Sequence, residues 1–151
     1  MKISSFVHNQ FGIESIIKWL QDKNAKKQLT VYGNVGIGKT TIVNTILKEF
    51  HYEVIVMNEI IPKLKDEKAF DILCKTLQKS NQIILYDNVE NVVNQTEKKW
   101  LIKLSKTKSN LKAIFIANNN HTKTIVEIKI PITITTIGAT ISTSTNVRPL
   151  D

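Results

Sequence analysis

The amino-acid sequence predicts an α/β domain in which helices cover both faces of a mostly parallel, five-stranded sheet. Short apolar runs of strand length alternate along the chain with segments whose apolar residues recur at helical spacing. Several of these runs are apolar on both sides of the pleat, which is typical of parallel strands buried between two layers of helices. With 151 residues, of which 42% are hydrophobic, the chain is long enough for one such domain with a sizeable core.

The helical segments place apolar residues at intervals of three and four, as helices that pack on a sheet do. They are Phe11–Asp22, Thr40–Phe50, Lys65–Lys79 and Gln95–Lys106. In the third helix we expect the apolar residues to face the core, namely Phe70, Ile72, Leu73 and Leu77. The strand segments between the helices are Leu29–Tyr32, Glu53–Met57, Gln82–Tyr86 and Lys112–Ile116. Residues 124–146 alternate apolar and polar residues around Pro131, which predicts one or two further strands at the sheet margin, within the edge strand and tail of residues 121–151.

The connection between the first strand and the second helix carries the most specific functional pattern. Gly33 to Thr40 reads GNVGIGKT and fits the G-x-x-x-x-G-K-S/T pattern of a phosphate-binding loop (P-loop). In such a loop backbone N–H groups surround a phosphate chain, the lysine supplies a cation, and the hydroxyl is a ligand for Mg²⁺. We therefore expect a three-layer P-loop NTPase fold with ATP and Mg²⁺ as cofactors. The predicted binding residues are Gly33, Asn34, Val35, Gly36, Ile37, Gly38, Lys39, Thr40 and Thr41.

Two other strands end in polar residues that suit the same site, because parallel sheets bind ligands at the carboxyl ends of their strands. Asp87 follows the apolar run QIILY, where a carboxylate would hold Mg²⁺ beside the Thr40 hydroxyl. The alternative is an ordinary Asp-Asn turn after a strand. Asn118 follows KAIFIA and begins a run of three asparagines, where an amide would orient the attacking water or contact the γ-phosphate. An asparagine-rich turn is the alternative there.

The overall composition limits the class of protein. The formal net charge of +8 comes almost entirely from lysine and favours anionic partners such as nucleic acid, although solubility alone also explains such a charge. The sequence has no apolar run long enough to span a bilayer, and its first residues lack the apolar core of a signal peptide. We therefore expect an intracellular protein, in the nucleus or cytoplasm, without a membrane partner. The single cysteine, Cys74, is expected to be a buried, reduced thiol.

The order of P-loop, strand-end aspartate and strand-end asparagine resembles the AAA+ ATPases. Within them it is most similar to the clamp loaders, particularly the large subunit of replication factor C. The stretches IIKWLQD, YGNVGIGKTT and FIANN carry the resemblance, with Asn34 and Val35 in place of two prolines of the family. VIVMNE is similar to a family strand that ends in Leu-Asn, so Asn58 takes the asparagine position. The resemblance covers roughly residues 7–120.

The resemblance implies that the P-loop strand lies between the strand ending at Asn118 and a last edge strand. It implies that Asn118 is the γ-phosphate sensor and that the segment Phe6 to Phe11 lies near the adenine. His8 and Asn9 are candidate contacts there, a solvated polar pair being the alternative. The implied partners are other AAA+ subunits in an oligomer, a sliding clamp and DNA. We expect one nucleotide-binding domain over residues 1–151, ending in an edge strand and tail without the family's helical lid.

The residue after Asp87 departs from the family pattern. The family places there a glutamate, the general base that polarises the attacking water. This sequence has Asn88, and an amide does not accept a proton at neutral pH. Glu90 is a candidate replacement, although we favour a surface position for it. We therefore expect ATP binding with slow hydrolysis, and the candidate catalytic residues are Lys39, Asp87, Asn118 and Glu90.

Arginine is scarce in the sequence, which contains Arg148 alone. An arginine finger donated to a neighbouring subunit is therefore not expected by the usual route. Three functions stay open. The first is a clamp-loader-like ATPase of DNA replication or repair, and the second is another P-loop ATPase of replication, such as a helicase loader or initiator. The third is a nucleotide-binding structural subunit that does not hydrolyse ATP.

Overall fold

The computed structural model describes residues 10–24, 27–33, 38–77, 81–92, 94–106 and 111–118, together with the backbone of residues 133–136. Within these ranges helices and strands alternate along the chain. The helices are α1 (Gln10–Gln21), α2 (Lys39–Glu49), α3 (Glu67–Thr76) and α4 (Gln95–Ser105). The strands are β1 (Gln28–Tyr32), β2 (Glu53–Val56), β3 (Gln82–Tyr86), β4 (Lys112–Ala117) and β5 (Thr133–Thr136). Two short 3₁₀ turns lie at Ile61–Lys63 and Val89–Asn91.

The strands form one sheet in the order β2-β3-β4-β1-β5, and each described pair of neighbours runs parallel. The predicted α/β fold with a parallel five-stranded sheet is therefore confirmed, including the position of β1 between β4 and a last edge strand. Tyr32 is level with Ala117 in the register of β1 and β4, and Tyr86 is level with Phe115 in that of β3 and β4. The connections that leave β1, β3 and β4 consequently open at the same edge of the sheet.

Helices pack on both faces of the sheet and create two hydrophobic cores. Successive residues of β4 alternate between them. Ala113, Phe115 and Ala117 join the core beneath α3 and α4, whereas Ile114 and Ile116 join the core beneath α1 and α2. Because burying one large aliphatic or aromatic side chain stabilises a fold by about 1.5–3 kcal/mol, both layers contribute to stability. A strand buried on both faces is necessarily apolar throughout, which is why β4 reads as one continuous apolar run.

One sequence expectation about burial is wrong. Ile72, predicted to face the core, has 56% of its surface exposed. Helix α3 begins at a cap in which Asp66 accepts a hydrogen bond from the N–H of Ala69 at 2.9 Å. The buried residues of this helix are Phe70 and Cys74, which lie on the same face. Ile72 lies about 200° around the helix from Phe70, so it points away from the sheet. The prediction of a buried thiol at Cys74 is confirmed.

The strand β2 is less buried than β3 and β4, although its residues also form an apolar run. It lies at the edge of the sheet and pairs with β3 alone among the described strands. Val56 is consequently 51% exposed. An apolar run of strand length does not distinguish an edge strand from a central one, because that distinction depends on how the strands are ordered in the sheet.

Candidate functional site

The connection from β1 to α2 begins and ends at glycines that have different tasks. The N–H of Gly33 donates to the carbonyl of Ala117 at 3.2 Å, which ties the end of β1 to the end of β4. Gly38 caps the start of α2 with φ 81° and ψ 30°, a left-handed conformation that favours glycine. Among the described residues, its chain neighbours apart, no atom lies within 4 Å of a Cβ built at Gly38, so the requirement for glycine comes from the backbone and not from crowding. The positive end of α2, which begins at Lys39, thus opens at the carboxyl edge of the sheet.

An open pocket of about 210 Å³ lies at this edge. Binding sites for whole small molecules are usually roughly 300–1,000 Å³, so this space suits a phosphate tail and a metal ion better than an entire nucleotide. Among the described residues, three connections supply its lining: the start of α2, the end of β3 and the end of β4. The lining residues are Gly38, Lys39, Thr40, Thr41, Asp87, Asn88 and Asn118.

Lys39 provides the positive charge of the pocket. Its side chain is buried, and its ammonium donates to the carbonyl of Gly33 at 3.0 Å and to Oδ1 of Asn118 at 2.8 Å. Burial lowers the pKa of Lys39, and the negative charges of Glu90 and Asp87 oppose that change. The two carboxylates therefore favour the charged ammonium, which is the form that attracts a phosphate.

Thr40 and Asp87 form the part of the pocket that suits a cation. The Thr40 hydroxyl donates to Oδ2 of Asp87 at 2.6 Å, and Oδ1 of Asp87 accepts the N–H of Asn88 at 2.8 Å. These are hard oxygen donors, and Mg²⁺ is commonly held by one or two carboxylates together with water and substrate phosphates. No group of three or more His, Cys, Asp or Glu residues suited to a metal occurs in the described part of the chain. The donor set therefore fits Mg²⁺ bound with a phosphate, and not a metal site made of protein ligands alone.

Asn58 is a residue of the site that sequence reasoning did not assign to it. It follows β2, and its amide forms two hydrogen bonds with the backbone of Asp87. Nδ2 donates to the carbonyl of Asp87 at 2.7 Å, and Oδ1 accepts the N–H of Asp87 at 2.9 Å. Together these bonds fix the direction in which the Asp87 side chain leaves the backbone. The resemblance of VIVMNE to a strand ending in Leu-Asn was the available signal, but it gave Asn58 a position without a role.

Glu90 does not occupy the surface position that we favoured. Glu90 is half-buried, and its Oε2 atom accepts a hydrogen bond from the backbone N–H of Asn118 at 2.9 Å. The reason lies in Asn88, which has φ 55° and ψ 50° and so reverses the chain directly after β3. The 3₁₀ turn Val89–Asn91 then brings Glu90 back against the end of β4. A single left-handed residue is a local event that hydrophobic periodicity does not predict.

The remaining predicted site residues lie outside the described residues and stay predictions. They are His8 and Asn9 near the expected adenine position and Asn34, Val35, Gly36 and Ile37 of the P-loop. Pro131 and Arg148 lie outside the described residues as well. In the part of the chain that the structure describes, no helix is long and apolar enough to span a membrane.

Known proteins are similar to this chain in sequence. The sequence model of the "ATPase family associated with various cellular activities (AAA)" matches residues 29–142, more than half of the chain. A protein of Acanthamoeba polyphaga mimivirus, provisionally named as a replication factor C large subunit, is 26% identical over 82% of this chain and 29% of its own length. Replication factor C large subunits of Pyrococcus abyssi and Thermofilum pendens are 26% and 33% identical, over 60% and 51% of this chain. The chain spans less than a third of the length of each of these three relatives.

Proposed function

The chain belongs to the AAA family of ATPases, and from this premise we propose that it binds ATP with Mg²⁺ at the carboxyl edge of its sheet. One observation carries the proposal. A lysine, a hydroxyl, a carboxylate and an amide from three separate connections meet around one pocket. The lysine donates a hydrogen bond to the amide at 2.8 Å, and the hydroxyl donates one to the carboxylate at 2.6 Å. Such a combination serves the phosphates of a nucleotide and the metal ion that accompanies them.

Each residue has a distinct task in this proposal. The Lys39 ammonium, with the positive end of α2, attracts the β- and γ-phosphates. The Thr40 hydroxyl and the Asp87 carboxylate hold Mg²⁺, which neutralises charge on the phosphates when it is bound. The task of the Asn118 amide, which contacts Lys39 at 2.8 Å, is to bind the γ-phosphate or orient the attacking water.

We further propose that the chain acts in DNA replication or repair as a clamp-loader-like AAA+ subunit. The relatives named as replication factor C large subunits and the net charge of +8 support this role. The proposed partners are other AAA+ subunits, a sliding clamp and DNA inside the cell. A pull-down with a sliding clamp and, in parallel, with a replicative helicase tests the role. Capture of the clamp supports a clamp loader, whereas capture of the helicase favours the helicase-loader alternative.

A second candidate function is a nucleotide-binding subunit that does not hydrolyse ATP. Asn88 lines the pocket at the position where the family resemblance expects the general base. Among the described lining residues Asp87 is the single carboxylate, and its proposed task is to hold the metal ion. A site without a base near the attacking water loses a factor of about 10²–10⁴ in the chemical step.

Isothermal titration with ATP and Mg²⁺, with turnover measured in the same sample, tests the proposed binding and separates the two functions. We expect one nucleotide per chain and a turnover well below the roughly 10 s⁻¹ that is typical of enzymes. Binding without turnover, unchanged by added DNA or partner subunits, would favour the structural subunit. Absence of binding would refute both functions.

Replacing Asn58 by alanine should raise the Mg²⁺ concentration needed for half-maximal ATP binding about tenfold. The reason is that Asn58 holds the backbone of Asp87 through both polar atoms of its side-chain amide. Loss of a residue that orients a metal ligand typically lowers metal affinity by about 10–100-fold. The measurement is a Mg²⁺ titration of ATP binding, with binding in the presence of a chelator as the reference.

Asn81→Ala is the matched control for this variant. Asn81 is also an asparagine next to a strand of the sheet. It is exposed, however, and lies at the amino end of β3, away from the pocket. Its Mg²⁺ dependence should equal that of the unmodified protein. An unchanged Mg²⁺ dependence in Asn58→Ala would show that Asp87 does not need this support.

A further inference from the structure

Glu90 is a titratable residue for which the proposed function has no role so far. Its Oε2 atom accepts the N–H of Asn118 at 2.9 Å. Its Oε1 atom is buried and has no hydrogen-bond partner within the described part of the chain. Glu90 is also absent from the described lining of the pocket, although its neighbour in space, Asn118, belongs to it. The carboxylate therefore contacts a residue of the lining, Asn118, without being part of the described lining itself.

This placement does not suit a general base. A base must come within hydrogen-bond reach of the attacking water, about 2.6–3.2 Å, or reach it through one further water. One oxygen of Glu90 is engaged by a backbone N–H, the other is buried, and the residue is absent from the described lining of the pocket. The side chain that does line the pocket after Asp87 is that of Asn88.

The position of Glu90 allows its carboxylate to act on two other residues of the site, Asn118 and Lys39. Glu90 fixes the backbone of Asn118, and the Asn118 side chain accepts a hydrogen bond from the Lys39 ammonium at 2.8 Å. The negative charge of Glu90 also acts on Lys39, whose pKa it raises against the effect of burial. Glu90 thus connects the end of β3 to the end of β4 and, through Asn118, to the start of α2.

We propose that Glu90 is a positioning residue, which holds Asn118 in the orientation that contacts the γ-phosphate, and that it is not the general base. The inference rests on the proposed function, because it assigns Asn118 to the γ-phosphate of a bound ATP. Loss of Glu90 then weakens the binding of ATP more than that of ADP, since ADP lacks the phosphate that Asn118 contacts.

The test compares ATP and ADP affinities of Glu90→Ala, Glu90→Gln and Asn118→Ala by isothermal titration. Glu90→Ala should lower the ratio of ATP to ADP affinity about tenfold, because the charge-assisted hydrogen bond that holds Asn118 is lost. Glu90→Gln should stay within about threefold of the unmodified protein, since its amide oxygen still accepts the Asn118 N–H. The double variant Glu90→Ala with Asn118→Ala should lose no more than Asn118→Ala alone, because both changes remove the same contact.

Glu14→Ala is the control, because Glu14 is an exposed acid of α1 away from the pocket. Equal weakening of ATP and ADP by Glu90→Ala would point to a general structural role and overturn the proposal. So would ATP and ADP affinities of Glu90→Ala equal to those of the unmodified protein. If Glu90→Ala does not fold, the ATP turnover of Glu90→Gln distinguishes a positioning residue from a general base. A loss of turnover of 100-fold or more with unchanged ATP affinity would identify a base. Retained turnover supports positioning. If the unmodified protein does not bind ATP, the proposed function fails instead.

Discussion

Replacing Lys39 by alanine should weaken ATP binding at least tenfold while leaving the fold intact. The ammonium is the cation that the pocket offers to the β- and γ-phosphates, and it is held at the pocket by Gly33 and Asn118. A tenfold loss corresponds to about 1.4 kcal/mol, which is at the low end of the contribution of one hydrogen bond to a charged group. Isothermal titration gives the affinity, and circular dichroism checks that the helices remain.

Lys48→Ala is the matched control, because Lys48 is an exposed lysine in the last turn of the same helix. It removes the same charge from the chain, so a non-specific effect of net charge would appear in both variants. We expect full ATP affinity in Lys48→Ala. Equal affinity in Lys39→Ala and the unmodified protein would contradict the assignment of the P-loop.

Replacing Asn88 by glutamate should raise the rate of ATP hydrolysis at least tenfold. Asn88 lines the pocket directly after Asp87, so a carboxylate there would face the attacking water and accept its proton. General-base catalysis contributes about 10²–10⁴-fold, but the gain is reduced here because position 88 has φ 55°. Glutamate in the left-handed region costs about 1–2 kcal/mol, so we also expect a lower melting temperature.

Asn88→Gln separates the chemistry from the strain. Glutamine has the length of glutamate and the same backbone preference, but its amide does not accept a proton at neutral pH. It should lose as much stability as Asn88→Glu without any gain in turnover. Turnover of Asn88→Glu no higher than that of Asn88→Gln would mean that the site lacks more than its base, for example a group from a partner subunit.

The arrangement of the sheet was largely predictable from the sequence. Apolar runs of strand length mark buried parallel strands, and β3 has the bounds that its run QIILY predicts, Gln82–Tyr86. The common edge at which Asp87 and Asn118 lie follows from the parallel direction of the strands. These features depend on patterns that extend over several residues and that burial on both faces enforces.

The contacts that support the site were not predictable in the same way. The side chains of Asn58 and Glu90 bind the backbone N–H groups of Asp87 and Asn118. Every residue type except proline has such an N–H group, so the sequence does not indicate which one a side chain binds. The position of Glu90 also depends on the left-handed conformation of Asn88. Asparagine tolerates that conformation better than most residues, but it does not require it.

The most direct test of the proposed site is the paramagnetic broadening of backbone amide signals during titration with Mn²⁺ and ATP, with Mg²⁺ and ATP as the diamagnetic reference. The signals of Thr40, Asp87 and Asn118 should broaden first, because these residues line the proposed metal and phosphate pocket. The signal of Lys112 should broaden last, since it begins β4 at the opposite edge of the sheet, about 20 Å from Asn118 along the strand. Early broadening at Lys112 with sharp signals at Thr40 and Asp87 would contradict a nucleotide site at the carboxyl edge.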